Sequence, residues 1–115
     1  MREGGIVLSG HSDVVPVEGQ DWTTDPFTMD ARDRLLYGRG TCDMKGFIAC
    51  VLALAPEMAH WPLTRPLHIA LTYDEEVGCL GARALVDDLR ARGIAPSMAI
   101  LGEPTEMRVI EGHKG

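Results

Sequence analysis

Ile6-Val-Leu-Ser-Gly-His11-Ser-Asp13-Val-Val-Pro16 is a short apolar run that ends by presenting a histidine and, two residues on, an aspartate. Side chains at i and i+2 of an extended segment share a face. His11 and Asp13 can therefore face one spot, the imidazole on a metal and the carboxylate holding the other ring nitrogen, which fixes the tautomer and raises ligand basicity. A plain capped strand end would look the same, so the meaning of the triplet depends on what the rest of the chain brings to it.

Two further apolar runs end on acids. Leu67-His-Ile-Ala-Leu-Thr-Tyr73 has the pattern of a strand buried on both faces and ends at Asp74-Glu75-Glu76. Met98-Ala-Ile-Leu101 reads as a third buried strand, ending at Gly102-Glu103-Pro104. Between these runs the period changes. Phe47, Val51, Leu54 and Met58 recur at helical spacing behind Asp43, which stands at the entrance of that helix, and Pro56 predicts a kink or an early stop. Ala82, Leu85, Val86 and Leu89 mark a second amphipathic helix, with Gly93 as its stop signal.

Strands alternating with helices predict an α/β fold, a mostly parallel or mixed sheet with helices on both faces. In such sheets ligands bind beyond the carboxyl ends of the strands. His11, Glu75/Glu76 and Glu103 each close a strand and Asp43 opens a helix, successive groups being about thirty residues apart, the length of one βαβ repeat. The connections carry less. Val17 to Thr28 reads as a loop anchored by Trp22 and Phe27, Met29 to Tyr37 as a short irregular hairpin closed by the turn Gly38-Arg-Gly40, and Met107 to Ile110 as a short strand.

The 115 residues suffice for one domain or part of one, and 45% apolar with 24% charged residues is an ordinary globular balance. No apolar run approaches the ~20 residues of a membrane span. The start, Met-Arg-Glu-Gly-Gly, lacks the apolar core of an export signal, so a cytoplasmic location is expected. Cys42, Cys50 and Cys79 are odd in number and lack C-x-x-C spacing, which argues against a disulfide framework and a zinc finger. A net charge of −6 disfavours nucleic acid. Asp13, Asp43, Asp74, Glu75, Glu76 and Glu103 cluster in the motif segments, which suits cations.

One histidine and several carboxylates on one rim suit a hard or borderline divalent cation, zinc among them. A carboxylate can bridge two metals ~3.5–4 Å apart, and Asp43, where a loop meets a helix, is the candidate bridge. Adjacent residues at a strand end point in different directions, so of Glu75 and Glu76 one can bind metal while the other faces the attacking water. Zinc lowers the pKa of its water from about 15.7 to about 7, and a neighbouring carboxylate can take the proton and return it to a leaving amine. No G-x-S-x-G elbow is present, so covalent acyl transfer ranks below this.

His11-Ser-Asp13-Val-Val-Pro16, Tyr37-Gly-Arg-Gly-Thr-Cys-Asp43-Met-Lys-Gly46, Asp74-Glu75-Glu76-Val-Gly78 and Gly102-Glu103-Pro-Thr105 together resemble the motifs of the acetylornithine deacetylase and succinyl-diaminopimelate desuccinylase family of co-catalytic zinc hydrolases. The resemblance implies two zinc ions, cobalt being a possible substitute, with His11 and Glu103 on one, Glu76 on the other and Asp43 between them. It also implies that Glu75 is the general base and that Asp13 orients His11. The implied substrate is a small N-acyl amino acid, with no nucleic acid and no membrane involved, and the implied full-length state is a homodimer.

The family's members continue into a lid or dimerisation domain and return to supply a last histidine to the second zinc. Residues 1–115 thus correspond to part of the zinc-dependent catalytic domain, with the lid and the C-terminal part of that domain expected outside them. Among the remaining histidines, His113 is the only one placed to substitute for that ligand; His60 lies near a helix end and His68 early in a strand. Cys42, beside the bridge, is expected to point away as a small buried thiol.

Overall fold

The computed structural model describes residues 2–112. In chain order its elements are β1 (Arg2–Glu3), β2 (Ile6–His11), the hairpin strands β3 (Asp30–Arg32) and β4 (Leu35–Tyr37), α1 (Gly46–Met58), β5 (Leu67–Thr72), α2 (Leu80–Ala91), β6 (Ile94–Ala95) and β7 (Met98–Leu101). Strand β2 runs between β5 and β7, parallel to both, and β1 pairs with β6, also parallel. Because all three central strands point the same way, their carboxyl ends form one rim. His11 stands opposite Thr72, and Ser9 opposite Leu101.

Alternation along β2 assigns its two faces. Leu8 and Gly10 look toward α1, where a Cβ on Gly10 would run into Ile48 and Met44, so the helix lies directly against the strand. Val7, Ser9 and His11 look the other way, and Ser9 and His11 line a cavity with Ala82 and Leu85 of α2. The expected helices on both faces are present. The core is small: Val7, Met44, Val51, Met58 and Ala70 are its buried apolar residues among those described.

Burial departs from the sequence reading at the sheet edges. Leu71 of β5 is 51% exposed and every residue of β7 is exposed, although β5 was expected to be buried on both faces and β7 to be a buried strand. Each is an edge strand of a three-stranded sheet; α1 packs mainly on the central β2 and α2 covers β5 only in part, where Ala70 is buried, so much of the apolar surface of the flanking strands stays exposed. Leu54 of the α1 stripe, expected in the core, is exposed as well.

Local differences have local causes. Helix α1 continues through Pro56 to Met58, since in the final turn the ring removes only one donor, and the Ala59 amide still closes on the Ala55 carbonyl. Phe27 is 70% exposed and anchors nothing; Trp22 does, lying 5.1 Å under the Arg39 guanidinium. Met107 to Ile110 forms no strand, because Glu106 and Met107 take positive φ and the Arg108 amide closes a turn on the Thr105 carbonyl. Cys42 is exposed rather than buried, as are Cys50 and Cys79.

Candidate metal centre

The rim is assembled from three strand ends and one helix entrance. Strand β2 delivers His11, the most buried polar side chain described, at 2% exposure. After Thr41 the chain makes one wide turn, Thr41–Lys45, that lifts Asp43 onto the rim and drops Met44 into the core before α1 begins. Beyond β5, Asp74 takes φ 52° and the Gly78 and Cys79 amides both return to the Glu75 carbonyl, a tight loop that turns Glu75 and Glu76 back toward β2. Gly102, directly after β7, lies so close under the Phe47 ring that no side chain fits there, and this seats Glu103.

His11 is the hub. Its Nε2 lies 3.0 Å from Asp43 Oδ1, 3.8 Å from Glu75 Oε2 and 3.8 Å from Glu103 Oε1. Its Nδ1 donates to the Asp13 carbonyl oxygen at 3.1 Å and has the Asp13 carboxylate at 3.4 Å. The main-chain carbonyl is thus the nearer partner, a detail that i, i+2 spacing does not reveal. Nε2 is left facing the carboxylates. Asp13 does a second thing as well: its Oδ2 accepts the Glu76 amide at 3.0 Å and ties the β5 loop to β2. Ser12 adds to this tie, its amide and hydroxyl both donating to the Thr72 carbonyl.

The charges of the cluster strain against one another. Burial raises the Glu103 pKa, and Asp43 and other carboxylates raise it further; Glu76 is raised in the same way. Burial lowers the His11 pKa, but Glu103, the Asp13 carbonyl, Asp43 and Glu75 outweigh it, so the net shift is upward. Burial raises Asp13, yet the amides that it accepts and His11 bring it below the usual carboxylate range. No lysine or arginine forms an ion pair with the cluster among the described residues.

A group of carboxylates this close, balanced only by one imidazole, has the donor chemistry of a divalent cation site. Ligand atoms of His11, Asp43 and Glu103 lie within 4.8 Å of one another, and so do those of His11, Glu75 and Glu76. All six residues singled out from the sequence, Asp13 included, come to this rim. The geometry does not separate Glu75 from Glu76, since both reach the same histidine. His113 lies outside the described residues, His60 bonds back to the Pro56 carbonyl at the end of α1, and His68 sits in β5. One neighbour escaped the sequence reading: Cys79, whose thiol donates to Glu75 Oε1 at 3.3 Å. Its spacing of four residues across a turn was the available signal.

The cavity beneath the rim is small, about 120 Å³. A larger cleft of about 510 Å³ opens at the far end of α1 between Met58, Trp61, Leu63 and Pro66, and none of its lining residues is acidic, cysteine or histidine, so the chemistry belongs to the smaller one.

A parallel α/β sheet carrying one histidine and several carboxylates at its carboxyl rim defines the class: an α/β domain whose rim has the donor set of a metal site. More particularly, the chain belongs to peptidase family M20/M25/M40, a metal-dependent family, matched over residues 7–111. It is similar to the acetylornithine deacetylase of Yersinia pseudotuberculosis serotype O:1b (strain IP 31758), 45% identical over 97% of this chain and 28% of that protein. It is likewise similar to the acetylornithine deacetylases of Pasteurella multocida (strain Pm70), 44% identical over 98% of this chain, and Pectobacterium carotovorum subsp. carotovorum (strain PC1), 42% identical over 98%, covering 29% of each. The chain therefore spans less than a third of the length of these curated relatives.

Proposed function

We propose that residues 1–115 are part of the catalytic domain of a zinc-dependent amidohydrolase that cleaves N-acetylornithine to ornithine and acetate in arginine biosynthesis. The observation that carries this reading is the convergence of Asp43, Glu75 and Glu103 on Nε2 of His11, with Glu76 in reach of the same imidazole, in a chain that matches proteins named acetylornithine deacetylase along almost its whole length. His11 and Glu103 would hold one zinc ion, Glu76 a second, and Asp43 would bridge them. A lid or dimerisation domain and the remaining ligand would come from sequence outside these residues, in a cytoplasmic homodimer that needs neither nucleic acid nor membrane. Among the described residues no helix is long and apolar enough to cross a membrane.

When bound, the metal ions would polarise the amide carbonyl and acidify a water molecule. The work of the chain is to place and move protons around that chemistry. Asp13 holds His11 with Nδ1 as the donor, so that Nε2 keeps its lone pair for a ligand. Glu75 accepts a proton from the attacking water as the carbon–oxygen bond forms. It returns that proton to the nitrogen as the carbon–nitrogen bond breaks, so that the amine leaves neutral and no residue is acylated.

The test is release of ornithine from N-acetylornithine by zinc-loaded full-length protein, set against N-succinyl-diaminopimelate and neutral N-acetyl amino acids. Preference for N-acetylornithine supports the reading. Preference for another substrate would make the protein a related desuccinylase or aminoacylase. A second reading is that these 115 residues alone bind metal without turnover, and the short span relative to the relatives favours it.

A further inference from the structure

The mechanism leaves one chemically competent group at the rim without a task. Cys79 caps the tight loop after β5, and its φ of 56° swings its side chain back over that loop rather than out along α2. Its thiol donates to Glu75 Oε1 at 3.3 Å, while Glu75 Oε2 lies toward the cluster, 3.8 Å from His11 Nε2. Main-chain bonds fix the same loop, as the Gly78 and Cys79 amides both close on the Glu75 carbonyl at 3.0 and 2.9 Å. The backbone of Glu75 is therefore held by the turn. Its carboxylate, more than a third exposed, has no other side-chain donor among the described residues.

We propose that Cys79 is a positioning residue for the general base: its S–H occupies one oxygen of Glu75 and thereby aims the other at the reacting centre. The proposal rests on the reading of Glu75 as that base. A carboxylate whose two oxygens are both free samples several torsions about its terminal bond. A donor four residues on, closing a ring through the turn, selects one of them. A thiol suits this place because at neutral pH it is a weak, uncharged donor: it orients the carboxylate without neutralising it as an ammonium or guanidinium would. Neither Cys42 nor Cys50 has a comparable partner among the described side-chain hydrogen bonds.

Two experiments separate this inference from the reading that it rests on. Infrared spectra of the protein, with the Cys79 band isolated by subtracting the Cys79→Ala spectrum, should show an S–H stretch below those of Cys42 and Cys50. The shift should vanish in Glu75→Ala, whether or not the protein is an enzyme. An unshifted Cys79 band overturns the proposal. In zinc-loaded full-length protein, Cys79→Ala should lower kcat by about tenfold with KM within about twofold and zinc content unchanged, and Cys79→Ser should recover most of the loss. A Cys79→Ala enzyme with wild-type kcat, a serine variant as impaired as the alanine one, or loss of zinc from either would each overturn it. If wild-type protein cleaves no N-acyl amino acid while the infrared shift is present, the general-base reading fails and the hydrogen bond stands.

Discussion

The amide of Glu76 donates to the carboxylate of Asp13 across 3.0 Å, joining residues 63 apart in sequence. The same carboxylate lies 3.4 Å from Nδ1 of His11, whose hydrogen bond goes to the Asp13 main-chain carbonyl. Replacing Asp13 by Ala should release the Glu76 loop and remove the negative charge beside the imidazole, while the main-chain hydrogen bond to Nδ1 stays. We expect metal affinity to fall by about 10–100-fold and stability by about 1–3 kcal/mol. Calorimetric zinc titration and urea unfolding of the two proteins measure both, and unchanged affinity would deny Asp13 its supporting role.

Without metal, the protein should be more stable at about pH 6 than at about pH 8. Glu76 and Glu103 are raised above the ordinary carboxylate range, so each charged form carries a cost in the folded state that is relieved as pH falls toward the raised value. His11 is raised as well, so its contribution is fully present below its usual 6.5 and is lost as pH rises through the folded value. These three groups act in one direction, while lowered Asp13 acts only in stronger acid, below its usual 3.8. Saturating zinc should reverse the order, because metal replaces protons on the same atoms. Melting temperatures at both pH values, with zinc and with chelator, give the sign directly.

Glu75→Ala in full-length protein should reduce kcat by about 10²–10⁴-fold, the usual contribution of a general base, with zinc content unchanged. Turnover assays alongside metal analysis make the comparison. Loss of zinc with loss of turnover would exchange the roles of Glu75 and Glu76.

Gly102→Ala should push the Phe47 ring off the end of β7, since even a Cβ overlaps the ring atoms. Overpacking of this kind costs about 1–3 kcal/mol, and because Glu103 follows directly, zinc affinity should drop with stability. A variant that melts and binds zinc like the parent would show that the ring moves aside freely.

The strands, helices and rim were legible because each rests on local chemistry. The apolar runs before His11, Glu75 and Glu103 set three strands, and the period after Asp43 set a helix. What the sequence could not show was which apolar runs meet a second layer. Ile69, Leu71 and Ile100 have the pattern of buried strands, yet they lie exposed at the edges because burial depends on partners that periodicity does not name. The short pairing of Arg2–Glu3 with Ile94–Ala95 was invisible, since two-residue strands carry no period. At the site, residue identity pointed to the cluster, but the Asp13–Glu76 tie and the Cys79–Glu75 bond are tertiary facts, arising from a backbone amide and a left-handed turn.

The central claim is that His11, Asp43, Glu76 and Glu103 hold divalent metal, and metal content per chain tests it most directly. Wild-type protein and Asp43→Ala, dialysed against trace zinc, would be measured by plasma mass spectrometry. The account predicts at least one zinc ion per wild-type chain and loss of it in Asp43→Ala, which removes the nearest carboxylate to His11 Nε2. No bound zinc in the wild type, or equal zinc in both proteins, would contradict it.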